Sequence, residues 1–271
     1  MRIYISADLE GVNGVVSYEQ VDPGGALYPL AREWMISEVC AAIRGCRAGG
    51  ATEIVVNDAH NRGLNLLPDR LPAPAHLLTG YDKPLSMMEG IDRGFDAALF
   101  LGYHAKAGTP RAVHDHTFSA STFHDVRING LSVGEFGLKA ALAGWLDVPV
   151  LLVTGDQALC EEAKALHPPV ETLAVKEASS RYAALCLPFE VSLQRIEQAV
   201  QAAISRRQQI PPLRIAPPFR LECVFQKTEQ AERASRTRLG RRSDPYTLIY
   251  ETDDYLDLYR AFLSLYRASS S

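Results

Sequence analysis

Short apolar runs alternate with longer amphipathic stretches along this chain, which is the pattern of strands joined by crossover helices. The apolar runs predict strands at Arg2–Ala7, Glu53–Val56, Ala97–Leu101, Pro149–Val153 and Glu171–Val175. Helical spacing predicts helices at Leu30–Ala48, Gly134–Leu146, Ala158–Leu166 and Leu193–Arg206. Strands that are apolar on both faces are typical of a parallel sheet covered by helices. The pattern therefore predicts an α/β fold with a mostly parallel sheet flanked by helices.

The remaining segments have a different pattern of apolar and polar residues. Thr117–Thr122 and Val126–Ile128 alternate between apolar and polar residues, and the Asn129-Gly130 pair is the strongest two-residue hairpin signal. Residues 207–219 contain four prolines, which interrupt helices and sheet ladders. Further strands and helices are predicted at Arg220–Gln226, Thr228–Ser235, Tyr246–Tyr250 and Tyr255–Tyr266. We therefore expect an α/β domain over residues 1–206 and a smaller α+β part over residues 207–271.

Composition narrows the class of protein. A chain of 271 residues with a formal net charge of −4 gives no reason to expect nucleic acid or an anionic membrane as a partner. The five cysteines are scattered and include no CxxC pair, so we expect reduced thiols in a cytoplasmic protein. The chain opens on a strand and no apolar run approaches about eighteen residues, so neither a signal peptide nor a membrane span is expected.

Two carboxylates end the first predicted strand. Asp8 and Glu10 are separated by one residue, and side chains at i and i+2 of an extended chain project to the same side. Two like charges beside a buried strand repel each other unless a cation lies between them. This pair therefore predicts half of a metal site, which we expect to lie in the α/β domain.

The ends of other predicted strands and helices can supply the remaining ligands of this metal site, because binding sites in a parallel sheet lie outside the carboxyl ends of its strands. Asp58 and His60 follow the second predicted strand, His104 follows the third, and Glu135 starts a helix at the same edge. Simpler structural roles are open to three of these residues. His60 can be an ordinary hydrogen-bonded residue, Glu135 can be favoured at its position by the helix dipole, and Asp58 can cap the following turn. We keep the capping role for Asp58. The candidate metal ligands are Asp8, Glu10, His60, His104 and Glu135.

Three acids and two imidazoles exceed the three protein ligands that a single catalytic zinc takes. They suit two metals about 3.5–4 Å apart that share one carboxylate, an arrangement that activates water near neutral pH. Mixed imidazole and carboxylate ligands favour Zn²⁺, with Mn²⁺ or Co²⁺ as alternatives.

Six short motifs occur in order along the first part of the chain: Asp8-Leu9-Glu10-Gly11, Asn57-Asp58-Ala59-His60, Leu101-Gly102-Tyr103-His104-Ala105, Asp115-His116-Thr117, Ile128-Asn129-Gly130 and Val133-Gly134-Glu135. In order and spacing they resemble the D-aminopeptidase family of zinc metallopeptidases. The resemblance covers about the first 190 residues and is looser beyond the proline-rich segment.

The resemblance implies a zinc-dependent aminopeptidase that hydrolyses the N-terminal amide bond of short peptides. It implies that Asp8 bridges two Zn²⁺ ions per subunit and that the other candidate ligands complete their coordination. It places the catalytic side chain at His116, within Asp-His-Thr, although His114 can face the same way and otherwise is a solvated loop residue. It also implies a ring-like homo-oligomer, with a decamer as one form. Only the family name favours D- over L-amino acids.

Two other functions fit the same metal site. One is a dimetal hydrolase of another small substrate, such as a phosphoester or a cyclic amide, although Gly11–Gly14 is too short and too close to acids to bind phosphate. The other is a metal-stabilised assembly protein without catalysis, against which His116 argues. Three cations, Lys106, Lys176 and Arg181, either bind a substrate carboxylate, line an oligomer channel or are simply solvated.

Overall fold

Strands and helices alternate through most of the chain. The structure is a computed structural model that describes residues 1–270. In chain order the strands are β1 (Arg2–Ala7), β2 (Glu53–Asp58), β3 (Ala75–Leu78), β4 (Ala97–Tyr103), β5 (Phe123–Ile128), β6 (Leu131–Ser132), β7 (Val150–Asp156), β8 (Glu171–Ser180), β9 (Ala183–Cys186), β10 (Phe219–Phe225), β11 (Arg241–Arg242) and β12 (Thr247–Thr252). The α-helices are α1 (Tyr18–Val21), α2 (Tyr28–Ala48), α3 (Glu135–Trp145), α4 (Gln157–Leu166), α5 (Phe189–Ser205), α6 (Thr228–Ser235) and α7 (Tyr255–Ser270).

The larger sheet has seven strands in the order β3-β2-β1-β4-β7-β8-β9. Its neighbouring strands are parallel except for β9, which pairs antiparallel with β8. Parallel neighbours need crossover connections, and the helices in those connections cover both faces of the sheet. The predicted α/β class with a mostly parallel sheet is therefore confirmed. Because β1 pairs with both β2 and β4, the carboxyl ends of these three strands are adjacent.

The smaller sheet is antiparallel and has the order β11-β12-β10-β5-β6. The predicted Asn129-Gly130 turn joins β5 to β6, with both residues at positive φ, so this hairpin prediction is confirmed. Strand β10 pairs with β5, so the sheet combines chain from both sides of the proline-rich segment. The division into residues 1–206 and 207–271 as separate folding units stays a prediction.

Two apolar clusters cover the two faces of the larger sheet. Along β1 the side chain of Tyr4 enters one cluster, and those of Ile3 and Ile5 enter the other. The first cluster reaches α3, α7 and the smaller sheet, whereas the second lies beneath α2 and α5. Tyr255 and Tyr259 of α7 are buried in the first cluster, so the aromatic residues of this helix serve core packing.

Several segments differ from the sequence-based prediction, including α1 and β11, which were not predicted. Thr117–Thr122 is a loop and not a strand, because Phe118 adopts a φ of +61° and its main-chain amide donates a hydrogen bond to Glu135 Oε1 at 2.8 Å. The short strands β3 and β9 were not predicted, and both lie at edges of the larger sheet. Among residues 1–270, no helix combines the length and the hydrophobicity that crossing a bilayer requires.

Candidate metal centre

The ends of three parallel strands and the start of one helix meet at one edge of the larger sheet. Asp8 directly follows β1, and Glu10 lies two residues further along the chain. His104 directly follows β4, His60 comes two residues after β2, and Glu135 is the first residue of α3. All five residues are buried. This edge therefore brings together every residue that the sequence predicts as a metal ligand.

The turn after β1 packs so closely on the end of β4 that glycine is required at two positions. A Cβ atom on Gly11 would lie 1.8 Å from the carbonyl oxygen of Tyr103. Gly102 has a φ of +66°, and a Cβ atom there would lie 2.3 Å from the carbonyl oxygen of Asp8. The Gly11 amide donates a hydrogen bond of 2.7 Å to the Gly102 carbonyl oxygen. These contacts fix the position of Asp8 relative to β4.

The carboxylates and imidazoles contact one another directly. His60 Nδ1 lies 3.0 Å from Glu10 Oε2 and 3.3 Å from Asp8 Oδ1. His104 Nε2 lies 3.2 Å from Glu135 Oε1 and 3.7 Å from Asp8 Oδ2. Asp8 therefore faces both histidines, one with each of its carboxylate oxygens.

His116 lies beside this cluster, in the loop between β4 and β5. Its ring stacks on that of His104, with centroids 3.9 Å apart, and its Nε2 atom is 3.7 Å from Glu135 Oε1. The reading of His114 as a solvated residue is wrong, because it is buried and packs edge-on against the ring of Tyr18. Burial lowers the pKa of His114 to about 4, so this imidazole is neutral near neutral pH.

The main chain orients all three imidazoles of the cluster. In each ring one nitrogen lies within hydrogen-bond distance of a backbone carbonyl oxygen, and the pairs are His60 Nε2 with Val21 (2.8 Å), His104 Nδ1 with Ala105 (3.1 Å) and His116 Nδ1 with His114 (2.6 Å). The nitrogen facing a carbonyl must carry the hydrogen, so in the neutral ring the other nitrogen presents a lone pair. That lone pair points toward the carboxylates in every case. This is the form in which imidazole binds a metal.

Lone pairs that face carboxylate oxygens repel them unless a proton or a metal ion lies between. His104 Nε2 is such an atom: it is buried, has no partner in hydrogen-bond geometry, and lies 3.2 Å from Glu135 Oε1. Potential ligand atoms lie within 4.8 Å of one another in two sets that share His104, namely Asp8, Glu10 and His104, and His104, His116 and Glu135. The donors therefore fit divalent cations that accept mixed nitrogen and oxygen ligands, as zinc does.

In the metal-free protein these groups retain protons instead. Burial is the largest single effect on His104 and opposes its charged imidazolium, but the charge and hydrogen bond of Glu135 together with the charges of Glu10 and Asp8 outweigh burial and raise the pKa of His104 to about 10. Burial is again the largest single effect on His60, but Glu10 and Asp8 together outweigh it and raise the pKa of His60 well above its usual value. Burial, and then the charge of Glu10, raise the pKa of Asp8 to about 6. A cation that enters this cluster must therefore displace protons.

Asp58 has the capping role that its position predicts. One of its carboxylate oxygens accepts hydrogen bonds from the amides of Asn65, at 2.6 Å, and Leu66, at 2.7 Å. The side-chain amide of Asn65 donates to the other Asp58 oxygen and to the carbonyl oxygen of His60. Asp58 therefore shapes the loop that carries His60.

A cavity of about 330 Å³ opens onto the cluster. Asp8, Glu10, His60, His116 and Glu135 form its acidic and imidazole wall. Asn61, Ser86, Phe118 and Tyr266 also line the cavity. The site is therefore accessible to a small substrate.

Comparison with known proteins gives a consistent result. The D-aminopeptidase family matches residues 1–264. A D-aminopeptidase of Bacillus subtilis (strain 168) is 38% identical over 269 residues, which cover 97% of this chain and 96% of that protein. The chain belongs to the D-aminopeptidase family. A solved structure, the Zn-dependent D-aminopeptidase DppA from Bacillus subtilis, described as a self-compartmentalizing protease, matches with a TM-score of 0.96 and 35% identity, and the match covers 100% of this chain and 98% of that one.

The family resemblance inferred from the sequence motifs is thus confirmed. The individual roles, with His116 as the catalytic residue and the other residues as metal ligands, stay predictions.

A fully buried lysine at the centre was not predicted from the sequence. Lys139 follows Glu135 by one turn of α3, and its ammonium group donates a hydrogen bond to Glu135 Oε2. The same nitrogen lies 2.6 Å from Met87 Sδ and 4.6 Å from the ring centroid of Tyr103. Burial lowers the pKa of Lys139 despite the attraction of Glu135, whereas the Lys139 charge lowers that of Glu135 against the effect of burial. Because Oε2 of Glu135 is bonded to Lys139, only Oε1 faces His104 and His116.

Lys176 is a second buried lysine. The expectation that it is solvated or lines a channel is therefore wrong. Its ammonium group donates hydrogen bonds to three carbonyl oxygens in the turn after β1, those of Glu10 (2.6 Å), Val12 (2.8 Å) and Val15 (2.6 Å). Lys176 therefore fixes the turn that carries Glu10. The other two cations have polar partners, Ser132 Oγ for Lys106 and Asp115 for Arg181.

Proposed function

We propose that this protein is a zinc-dependent aminopeptidase that hydrolyses the N-terminal amide bond of short peptides containing D-amino acids. The observation that carries the proposal is the convergence of three imidazole lone pairs on three buried carboxylates beside an open cavity. The zinc dependence and D-aminopeptidase activity named for its relatives support the choice of metal and substrate.

The proposed ligands of two Zn²⁺ ions per subunit are Asp8, Glu10, His60, His104 and Glu135. The two oxygens of Asp8 face different histidines, which supports a bridging role for this carboxylate. Mn²⁺ and Co²⁺ suit the same donors. Zinc in such a site supplies a Lewis acid for the amide carbonyl and activates water for attack.

His116 is the proposed proton carrier. Its Nδ1 atom donates to the His114 carbonyl oxygen, so the Nε2 atom can accept a proton at the cavity wall. Burial lowers the pKa of His116, so its ring is neutral near neutral pH. Nε2 would take a proton from the attacking water and return it to the leaving nitrogen. The hydroxyl group bonds to the carbonyl carbon, the C–N bond breaks, and the amine leaves with the proton.

The acidic wall also suits the free amino terminus of a peptide, because carboxylates favour an ammonium group. One relative is named a self-compartmentalizing protease, which supports a ring-like homo-oligomer, such as a decamer, for this chain as well. Enclosure within a ring would restrict access to short, flexible peptides.

Metal content and dipeptide hydrolysis, measured on the same preparations, test the proposal. We expect His60→Ala and His104→Ala to lose bound zinc and activity together. His116→Ala should keep its zinc and lose about 10²–10⁴-fold in turnover, the usual contribution of general acid–base catalysis. D-Ala-D-Ala should be cleaved and L-Ala-L-Ala should not.

Full turnover by His116→Ala would defeat its catalytic role, and loss of zinc from that variant would make it a ligand instead. Wild-type protein that binds zinc but cleaves no dipeptide would defeat the peptidase assignment and favour the assembly or phosphoester alternatives.

A further inference from the structure

The loop that carries His116 is held in shape by contacts from another part of the fold. Residues 104–122 connect β4 to β5 and form neither a helix nor a strand. Within this loop His114 has a φ of +51°, in the left-handed region that residues other than glycine rarely adopt. The carbonyl oxygen of His114 is the acceptor for His116 Nδ1. The orientation of the His116 ring therefore depends on a backbone conformation that the surrounding structure must maintain.

The turn between β8 and β9 supports this conformation. The His114 amide donates a hydrogen bond of 3.1 Å to the carbonyl oxygen of Arg181, which lies in this turn. The ring of His114 packs edge-on against that of Tyr182, the next residue of the turn, with centroids 5.5 Å apart. The turn therefore contacts both the main chain and the side chain of His114.

The side chain of Arg181 holds the peptide bond that precedes His116. Its Nη2 atom donates a hydrogen bond of 2.9 Å to the carbonyl oxygen of Asp115, and its Nη1 atom lies 2.8 Å from Asp115 Oδ1. The other carboxylate oxygen of Asp115 accepts a hydrogen bond of 2.7 Å from the Gly108 amide. The His116 amide donates to the Ala105 carbonyl oxygen at 3.2 Å. The peptide between Asp115 and His116 is thus held at both its oxygen and its nitrogen.

These contacts decide between the roles that the sequence leaves open for Arg181. Both terminal nitrogens of its guanidinium group bind Asp115, so the side chain is not simply solvated. The walls that residues 1–270 form around the cavity at the metal centre do not include Arg181, whereas they do include His116. Arg181 is therefore placed to affect the reaction through His116 and not through contact with the substrate.

We propose that Arg181 is a positioning residue for His116. The inference rests on the proposed function, in which His116 Nε2 carries a proton from the attacking water to the leaving nitrogen. Without the guanidinium group the Asp115 carbonyl oxygen loses this partner, and the loop can relax from the left-handed conformation at His114. The His116 ring then moves with the loop. A displacement of about 1 Å at a reacting group can lower the rate by about 10²-fold.

Steady-state hydrolysis of D-Ala-D-Ala by the zinc-loaded full-length protein tests the proposal. Arg181→Met should lower kcat by about 10–100-fold, while KM changes by less than about twofold and zinc content stays at the wild-type level. Arg181→Lys should also lower kcat, because an ammonium group donates from one point and does not reproduce the planar fork of the guanidinium group. Arg214→Met is the matched control and should keep the wild-type kcat. Arg214 likewise binds a carboxylate, that of Asp147, and a main-chain carbonyl oxygen, that of Gly144, but near the carboxyl end of α3.

A double-mutant cycle with His116→Ala separates positioning from general structural damage. If Arg181 acts through His116, adding Arg181→Met to His116→Ala should lower kcat further by less than about twofold. Losses that multiply in the double variant would overturn the inference. An unchanged kcat, a loss of zinc, or a rise in KM alone in Arg181→Met would overturn it as well. Full turnover by His116→Ala, or no cleavage by wild-type protein, would instead defeat the proposed function, and this inference with it.

Discussion

Replacing Lys139 by methionine removes one positive charge from the candidate metal centre with little change in side-chain volume. Methionine is close to lysine in length, and the ammonium group it replaces already contacts Met87, Tyr103 and Phe118. What remains is a buried Glu135 carboxylate whose former partner is gone. Phe118 still donates its amide to Glu135 Oε1, and the protonated ring of His104 remains 3.2 Å from the same oxygen.

The loss can be estimated from the burial of the pair. The side chains of Lys139 and Glu135 are 0% and 2% exposed, so solvent does not screen them. Removing one partner of such a pair costs about 3–5 kcal/mol, and the surviving hydrogen bond and good fit of methionine favour the lower end, about 3 kcal/mol. At about 2–4 °C per kcal/mol for a chain of this size, Tm of the metal-free variant should fall by about 6–12 °C.

Zinc should reverse most of this loss, because a bound cation replaces the missing positive charge beside Glu135. Differential scanning calorimetry of Lys139→Met and wild type, each with excess zinc and each with a chelator, measures both values. We expect a Tm difference below about 3 °C with zinc, about 1 kcal/mol at most. Ile43→Ala is the control, since this buried residue lies in the cluster on the other face of the sheet and should lose similar stability in both conditions.

The same Tm loss for Lys139→Met with and without zinc would refute the electrostatic link between this lysine and the metal centre. No loss in the chelated protein would refute the stabilising role of the buried pair itself.

Two further predictions concern metal binding. Zinc affinity should increase as the pH rises toward about 10, because the metal-free protein holds a proton on His104, whose pKa is raised to about 10, and binding must displace it. Calorimetric titrations in buffers of different ionisation enthalpy should detect proton release, and a pH-independent affinity would contradict this account. Gly102→Ala should abolish zinc binding, since its Cβ would displace the Asp8 carbonyl, whereas Gly130→Ala, at φ +82° with no atom within 4 Å, should bind zinc normally and lose only about 1–2 kcal/mol. Normal zinc content in Gly102→Ala would contradict the role of this close contact.

Much of the candidate metal centre could be predicted because local rules place the proposed ligands. Alternation along an extended chain puts Asp8 and Glu10 on one side, and the order of parallel strands puts His60 and His104 at the same edge. Glu135 follows from the start of a crossover helix at that edge. Each inference needs only the period of an element and the direction of its strand.

The remaining features depend on contacts between distant segments. Lys139 and Lys176 look like ordinary surface lysines in the sequence, and nothing nearby reveals that they are buried. The acceptors of Lys176 lie 161–166 residues earlier in the chain. Part of the loop that carries His116 alternates like a strand, but its shape depends on the amide of Phe118 reaching Glu135. Such partners become visible only when the whole fold is known.

The backbone anchoring of the three imidazoles has a consequence for how this active site can diversify. Val21 and Ala105 hold their histidines through carbonyl oxygens, which every amino acid possesses. Mutation of these side chains therefore leaves the acceptors in place, provided that the backbone keeps its course. The cavity walls, such as Asn61 and Ser86, can then vary between homologues without disturbing the imidazoles. Mutations in the cavity walls can thus change substrate preference while the imidazoles keep the orientation that the metal chemistry requires.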